Sequence, residues 1–186
     1  MSTSTEKDQC DHGTMDIKME KRGEPREKGS TKPKVLYYKS NPNFAVIIPS
    51  NESTGEPVFT AFLSVLLKEK SHQTKDIEDL EKGILCFVVC CLLSRLEADV
   101  TAVWEKWKTF NKEDSKTMFV VLKPKDKDIT VENITSILSN VIDNHVSTTV
   151  IHFKDNNEIP KKINQNAKQD IGKFLNKRIC SNCCCF

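Results

Sequence analysis

Glycine is scarce in this chain, at 6 of 186 residues. Loops that cradle phosphates use glycines so that backbone N–H groups can approach the anion. A nucleotide site of that type therefore has little to build on. Long apolar runs are missing as well. The longest, residues 84–93, is half the roughly 20 residues that a membrane-spanning helix needs. Neither sign of charge dominates: 28 basic and 26 acidic side chains leave a formal net charge of +2. That supplies no global field for nucleic acid, and no nucleic-acid partner is expected. The first ten residues hold no apolar core, so no signal peptide is read there. No Cys/His spacing matches a zinc site, no Ser/His/Asp set stands out, and no cofactor is expected.

What remains is globular composition, 38% hydrophobic and 29% charged, at a single-domain length. There are 8 cysteines. Cys86, Cys90 and Cys91 sit inside the apolar run, where a thiol behaves as a small hydrophobe. Cys180, Cys183, Cys184 and Cys185 crowd the last seven residues, where neighbours bridge each other poorly. Free thiols without a secretion signal point to the cytosol.

Residues 1–33 are polar and of mixed charge, with Met15, Ile17 and Met19 the only apolar hint. Such a stretch buries too little surface to offset its ordering entropy and reads as a disordered arm. The other reading there is a short partner-binding helix over 15–22. From 34 to 177 the pattern is that of an α/β domain. Short β-rich runs at 35–38, 44–48, 84–93, 118–122 and 149–153 read as strands. The charged connector at 71–82 leaves room for a short edge strand.

Stripes at spacings of three and four read as helices. They are Phe59, Phe62, Leu63, Leu66 and Leu67; then Leu96, Val100, Val103, Trp104, Trp107 and Phe110; then Val131, Ile134, Leu138, Val141 and Ile142; then Ile163, Ala167, Ile171, Phe174 and Leu175. The first helix is set at 58–70. Pro160 is placed in the first turn of the last. Strand and helix in alternation predict an α/β fold with a mainly parallel sheet, in a three-layer sandwich of flavodoxin-like or Rossmann-like type.

Ligands of such sheets bind outside the C-terminal strand ends. The candidate ligand-binding residues in those loops are Ser50, Asn51, Thr54, Ser94, Arg95 and Lys123. Ser94 and Glu97 have the spacing of a capping box, in which the hydroxyl takes a backbone N–H and the carboxylate reaches back. A TIR-like, NAD-cleaving reading would have only Glu97 to offer, and the cap already accounts for it. Gly23 and Gly29 lack the spacing and the preceding strand of a phosphate loop. Asn111, Lys112, Glu113 and Asp114 imitate the guanine-recognition tetrapeptide of GTPases but follow a helix, not a strand. Trp104 and Trp107 are read as core.

From 154 onward seven basic side chains face three acidic ones. Cys183 lies four from the end with Phe186 last, the formal pattern for prenylation, although its middle positions are cysteine. The cluster also suits S-acylation, and two lipids, or one with basic residues, anchor stably. Cys180, Cys183, Cys184 and Cys185 are therefore the candidate lipidation sites in a tail over 178–186. An unmodified tail and a thiol tail for Zn(II) or Cu(I) stay open beside this reading.

A strand ending in Ser94-Arg95, then Asp99, Val100 and Ala102 on a helix, then Phe119 to Leu122, resembles a family of small α/β proteins of bony fish. It is also similar to the haemorrhagic-virus-induced, interferon-stimulated gene products of fish. The resemblance spans about 35–175, and its most specific part is the Ser94-Arg95 pair with its spacing to Asp99. Lys123-Pro124-Lys125 stand where the family carries a histidine-rich turn. The resemblance implies cytoplasmic innate antiviral defence and brings no catalytic residues. Three functions are carried forward. The first is a non-enzymatic, virus- or interferon-inducible cytosolic protein acting through protein partners, tethered to membranes by its tail. The second is a lipid-anchored signalling adaptor without immune function. The third is a nucleotide- or NAD-handling enzyme using the strand-end loops.

The tail reading is checked by fractionating cells that express the wild type or a variant with Cys180, Cys183, Cys184 and Cys185 all changed to Ser. The wild type is expected in the membrane pellet and the variant in the supernatant. Hydroxylamine releases thioester-linked acyl groups and leaves prenyl thioethers. Wild-type protein in the supernatant refutes the anchor.

Overall fold

Along the strand Leu85–Cys91 every side chain is buried, and successive side chains enter different cores. Leu85, Phe87, Val89 and Cys91 belong to one hydrophobic cluster. Cys86, Val88 and Cys90 belong to the other, with Ile84 and Leu92 just outside the strand. Side chains in a strand alternate between faces, so this continuous apolar run must be covered on both sides. The computed structural model describes residues 32–39, 43–48, 55–67, 71–110, 116–154 and 157–181; of 66–67 and 177–181 only the backbone belongs to this description. The arm over 1–33, apart from Lys32 and Pro33, lies outside the described residues, as does the tetrapeptide at 111–114.

In chain order the elements are β1 (Lys34–Tyr38), β2 (Phe44–Ile48), α1 (Gly55–Leu67), β3 (Gln73–Lys75), β4 (Leu85–Cys91), α2 (Leu96–Phe110), β5 (Lys116–Pro124), α3 (Val131–Val141), β6 (Ser147–Phe153) and α4 (Gln165–Ser181). A single 3-10 turn, Ile77–Asp79, precedes β4. The six strands form one mixed, mostly parallel sheet in the order β3-β1-β2-β4-β5-β6. The fold is α/β, as the alternation predicts. β1 is antiparallel to both β2 and β3, while β2, β4, β5 and β6 run parallel. The edge strand anticipated in the 71–82 connector is β3. Gly83, at φ +70°, makes the turn into β4 in a conformation that side chains with a Cβ resist.

Helix placement follows from direction along the sheet. From β2 the chain passes through α1 to β3, toward one edge. From β4 it passes through α2 to β5, and through α3 to β6, toward the other. Crossovers of one hand that run in opposite directions bring their helices to opposite faces. Accordingly α1 supplies Val58, Phe59, Phe62 and Leu63 to the first cluster, and α4 adds Ala167, Ile171, Phe174 and Leu175. α2 supplies Val100, Val103, Trp104 and Trp107 to the second, with Ile134 and Leu138 from α3. The winding reverses between β2 and β4.

Several boundaries differ from the sequence reading. α1 starts at Gly55, so Pro57 sits in its first turn, where its missing N–H has no cost. β5 continues through Lys123 and Pro124, because β6 lies beside it and pairs with both. α4 begins at Gln165, after a turn over 161–164, and Pro160 lies outside it. Ile163, assigned to the buried stripe of α4, is consequently 52% exposed. α4 runs on to Ser181, through Cys180 and into the segment read as tail.

Phe87 is the hub of the first cluster. Its ring lies 5.4 Å from Phe44, 5.7 Å from Phe59 and 5.2 Å from Phe174. It thereby joins β2, α1 and α4 to β4. Phe87→Ala is expected to lower unfolding free energy by about 3–5 kcal/mol. Val65→Ala, at a position 61% exposed, is expected to stay within about 0.5 kcal/mol. Equilibrium urea denaturation of both variants checks the contrast.

Candidate functional site

The loop after β4 turns sharply at Leu93 and Ser94 before α2 begins. Asp99, in the first turns of that helix, folds its carboxylate back onto the loop. Its Oδ2 accepts from the backbone N–H of both Leu93 and Ser94, each at 2.9 Å, and its Oδ1 accepts from the Ser94 hydroxyl at 2.8 Å. One side chain thus satisfies two backbone donors at the helix entrance that the helix itself leaves without partners. The carboxylate also lies at the positive end of the helix dipole.

This corrects the capping-box reading. A box on Ser94 and Glu97 needs Ser94 at the N-cap. The helix starts one residue later, with the Arg95 carbonyl accepting the first intrahelical bond from Asp99 N at 2.8 Å. Glu97 is exposed, and the residue that reaches back is Asp99.

The next loop is tied to this one. Lys127, between β5 and α3, donates from Nζ to the Leu93 carbonyl. Lys123, the penultimate residue of β5, donates from Nζ to the Lys127 carbonyl at 2.7 Å and to the Pro124 carbonyl at 3.4 Å. It is only 7% exposed, and burying an ammonium requires such partners. Lys123 therefore spends its charge inside the protein, holding its own loop in shape.

Beside Lys123 in the sheet lies His152 on β6. Partial burial, and next the Lys123 ammonium, hold the His152 imidazole below its ordinary value of 6.5. The backbone of His152 is held by Asn164, which is 2% exposed. Asn164 Oδ1 accepts from His152 N at 2.7 Å, and its Nδ2 donates to the His152 carbonyl at 2.8 Å and to the Pro160 carbonyl at 2.9 Å. An amide side chain here takes the place of a further strand, closing this point of the sheet edge.

Of the predicted ligand-binding residues, Ser50, Asn51 and Thr54 lie outside the described residues. Ser94 and Arg95 follow β4, at the reversal of winding. Ser94 is engaged with Asp99, Arg95 is exposed, and Lys123 is buried on the far side of β4 from β2. Of the four lipidation candidates, Cys183, Cys184 and Cys185 lie outside the described residues, and only the backbone of Cys180 is described. Among the described residues no group of His, Cys, Asp and Glu could hold a metal ion, and no helix is long and apolar enough to cross a membrane.

The structural roles of Lys127 and Asn164 left no signal in the sequence, since each depends on a strand or loop distant along the chain. Asp99 did leave one, in its fixed spacing from Ser94. Compared with family models, curated proteins and solved structures, the chain matches none.

The His152 environment has a pH consequence. The folded protein disfavours the imidazolium, so the unfolded chain binds the proton first as pH falls. Stability attributable to this site is complete above pH 6.5 and is lost as pH drops through the lowered folded value. Denaturation of wild type and His152→Gln on either side of pH 6.5 is expected to give a shallower acid-side slope for the variant.

Proposed function

We propose that this chain is a non-enzymatic, interferon- or virus-inducible cytosolic protein that acts through protein partners, tethered by its cysteine-rich tail. Its fold is taken as a three-layer sandwich of flavodoxin-like type. Leaving out β1, the strand order reads as the doubly wound 2-1-3-4-5 arrangement with its switch between the first and third strands. The two clusters on alternate side chains of β4 support three layers.

The observation that carries the non-enzymatic reading is the Asp99 carboxylate. In nucleotide-binding sheets the N–H groups of a strand-end loop meet the ligand's phosphate. Here the N–H groups of Leu93 and Ser94 already hold an internal anion. A phosphate would have to displace a carboxylate that makes three hydrogen bonds, two of them charge-assisted backbone contacts. The neighbouring surface suits a protein partner better. Leu93 is 53% and Val131 43% exposed, both at the same end of the sheet. The antiviral setting rests on the resemblance of Ser94, Arg95 and Asp99, and the tether on Cys180, Cys183, Cys184 and Cys185.

Virus yield is expected to rise in cells lacking the protein and to fall again on its return. A Leu93→Asp, Val131→Asp variant is expected to lose that rescue while melting within a few degrees of wild type. Unchanged virus yield in cells lacking the protein refutes the immune role. Turnover of NAD or a nucleoside triphosphate by the purified chain refutes the non-enzymatic one.

A further inference from the structure

Away from the winding reversal, the C-terminal ends of β5 and β6 enclose a groove of about 500 Å³. Its lining is Lys125, His152, Lys154, Pro160, Lys162 and Ile163. The volume falls in the range of small-molecule sites. We infer that this groove binds a small phosphate ester with an apolar body, its phosphate held by Lys125 and Lys162 and its body resting on Pro160 and Ile163.

The charges define the head of the ligand. Three lysines line the groove, and Lys154 is already paired with Glu158 at 2.9 Å. Lys125 and Lys162 make no ion pair among the described residues. Two ammonium groups without an ion pair among the described residues match a phosphate monoester, which carries close to two charges at neutral pH. Lysine serves such a head as a point charge. Partial burial and the Lys123 ammonium disfavour a charge on His152, which lines the groove as a hydrogen-bonding group.

The wall of the groove is apolar where Ile163 stands 52% exposed beside Pro160. That exposure follows from the helix boundary, because α4 starts only at Gln165 and leaves Ile163 in the turn. A bare inorganic anion would leave this surface uncovered.

The walls are also fixed in place. Lys125 N donates to the Phe153 carbonyl at 2.7 Å, which pins the loop after β5 to the end of β6. Asn164, through its bonds to His152 and Pro160, locks the β6 wall to the turn before α4. After β6, Lys154 N donates to the Glu158 carbonyl at 3.0 Å, Asn157 N donates to the Lys154 carbonyl at 2.9 Å, and Asn157 takes a left-handed φ of 61°. Basic side chains from three segments are thus presented by a preformed frame, which reduces the ordering cost of binding.

Geometry favours a soluble ester over a lipid headgroup. The chain runs back along β6, touching His152 through Asn164 just before α4 and then Thr149 through Asp170 of α4 at 3.3 Å. The 17 residues of α4 carry the chain about 25 Å from the groove, toward the opposite end of the sheet. The C-terminal end of α4, from which a tail anchor would depart, lies at that opposite end.

The full-length protein is titrated with phenyl phosphate and with inorganic phosphate at constant ionic strength, and amide shifts are followed by NMR. Phenyl phosphate is expected to move Lys125, His152, Lys154 and Ile163. Changing Lys125 and Lys162 together to Gln, both exposed positions, is expected to weaken it about tenfold or more with circular dichroism unchanged. Ile163→Ser is expected to weaken phenyl phosphate while leaving inorganic phosphate as it was. Sedimentation with phosphoinositide vesicles that is lost in the lysine variant assigns the same phosphate site to a headgroup. Absence of shifts with every probe, or shifts equal in wild type and lysine variant, overturns the inference.

Discussion

Two-sided burial of β4 is the constraint on which the rest of this structure depends. Seven consecutive residues without a polar side chain cannot face water on either side. One face needs α1 and α4, the other α2 and α3. The only way for a chain to supply helices to both faces by short crossovers of one hand is to travel both ways from the middle of the sheet. The reversal of winding between β2 and β4 is therefore a consequence of how apolar β4 is.

A second feature is the continuity of the polar rim along the C-terminal strand ends. Asp99 holds Leu93 and Ser94, Lys127 holds Leu93 from the next loop, and Lys123 holds Lys127. His152 lies beside Lys123 in the sheet, and Asn164 holds His152 and Pro160. The rim spans β4, β5 and β6, and most of its acceptors are backbone carbonyls. Such a network braces loops that contain no glycine, and most of its bonds involve a charged side chain, Asp99 as acceptor or Lys123 and Lys127 as donors, whose hydrogen bonds are the stronger kind. It also separates the sheet end into two regions. Over β4 the backbone donors are occupied from within, while over β6 two lysines stand without acidic partners among the described residues.

Much of the fold was legible one element at a time. The runs at 84–93 and 118–122 and the stripe from Leu96 to Phe110 carry their own periodicity, because burial on a strand or helix face imposes it directly. Errors fell where a long-range neighbour decides the boundary. Lys123 and Pro124 read as the end of a strand, yet β6 extends the pairing through both. Ile163 matched the spacing of α4, but the turn tied by Asn164 delays the helix and turns Ile163 outward. Glu97 had the right spacing for a cap, but Asp99 made the bonds because the helix begins one residue later than a Ser94 cap requires.

By itself the sequence determined the α/β class and the pattern of apolar residues that builds the core, since each follows from local pattern and composition. Tertiary structure alone decided which strands are neighbours, where the winding reverses and which lysines are buried or free. Lys123 and Lys125 sit two residues apart with the same side chain. One is enclosed on the Pro124 and Lys127 carbonyls of its own loop, the other lines an open groove, and only the path the chain takes after β5 separates their fates.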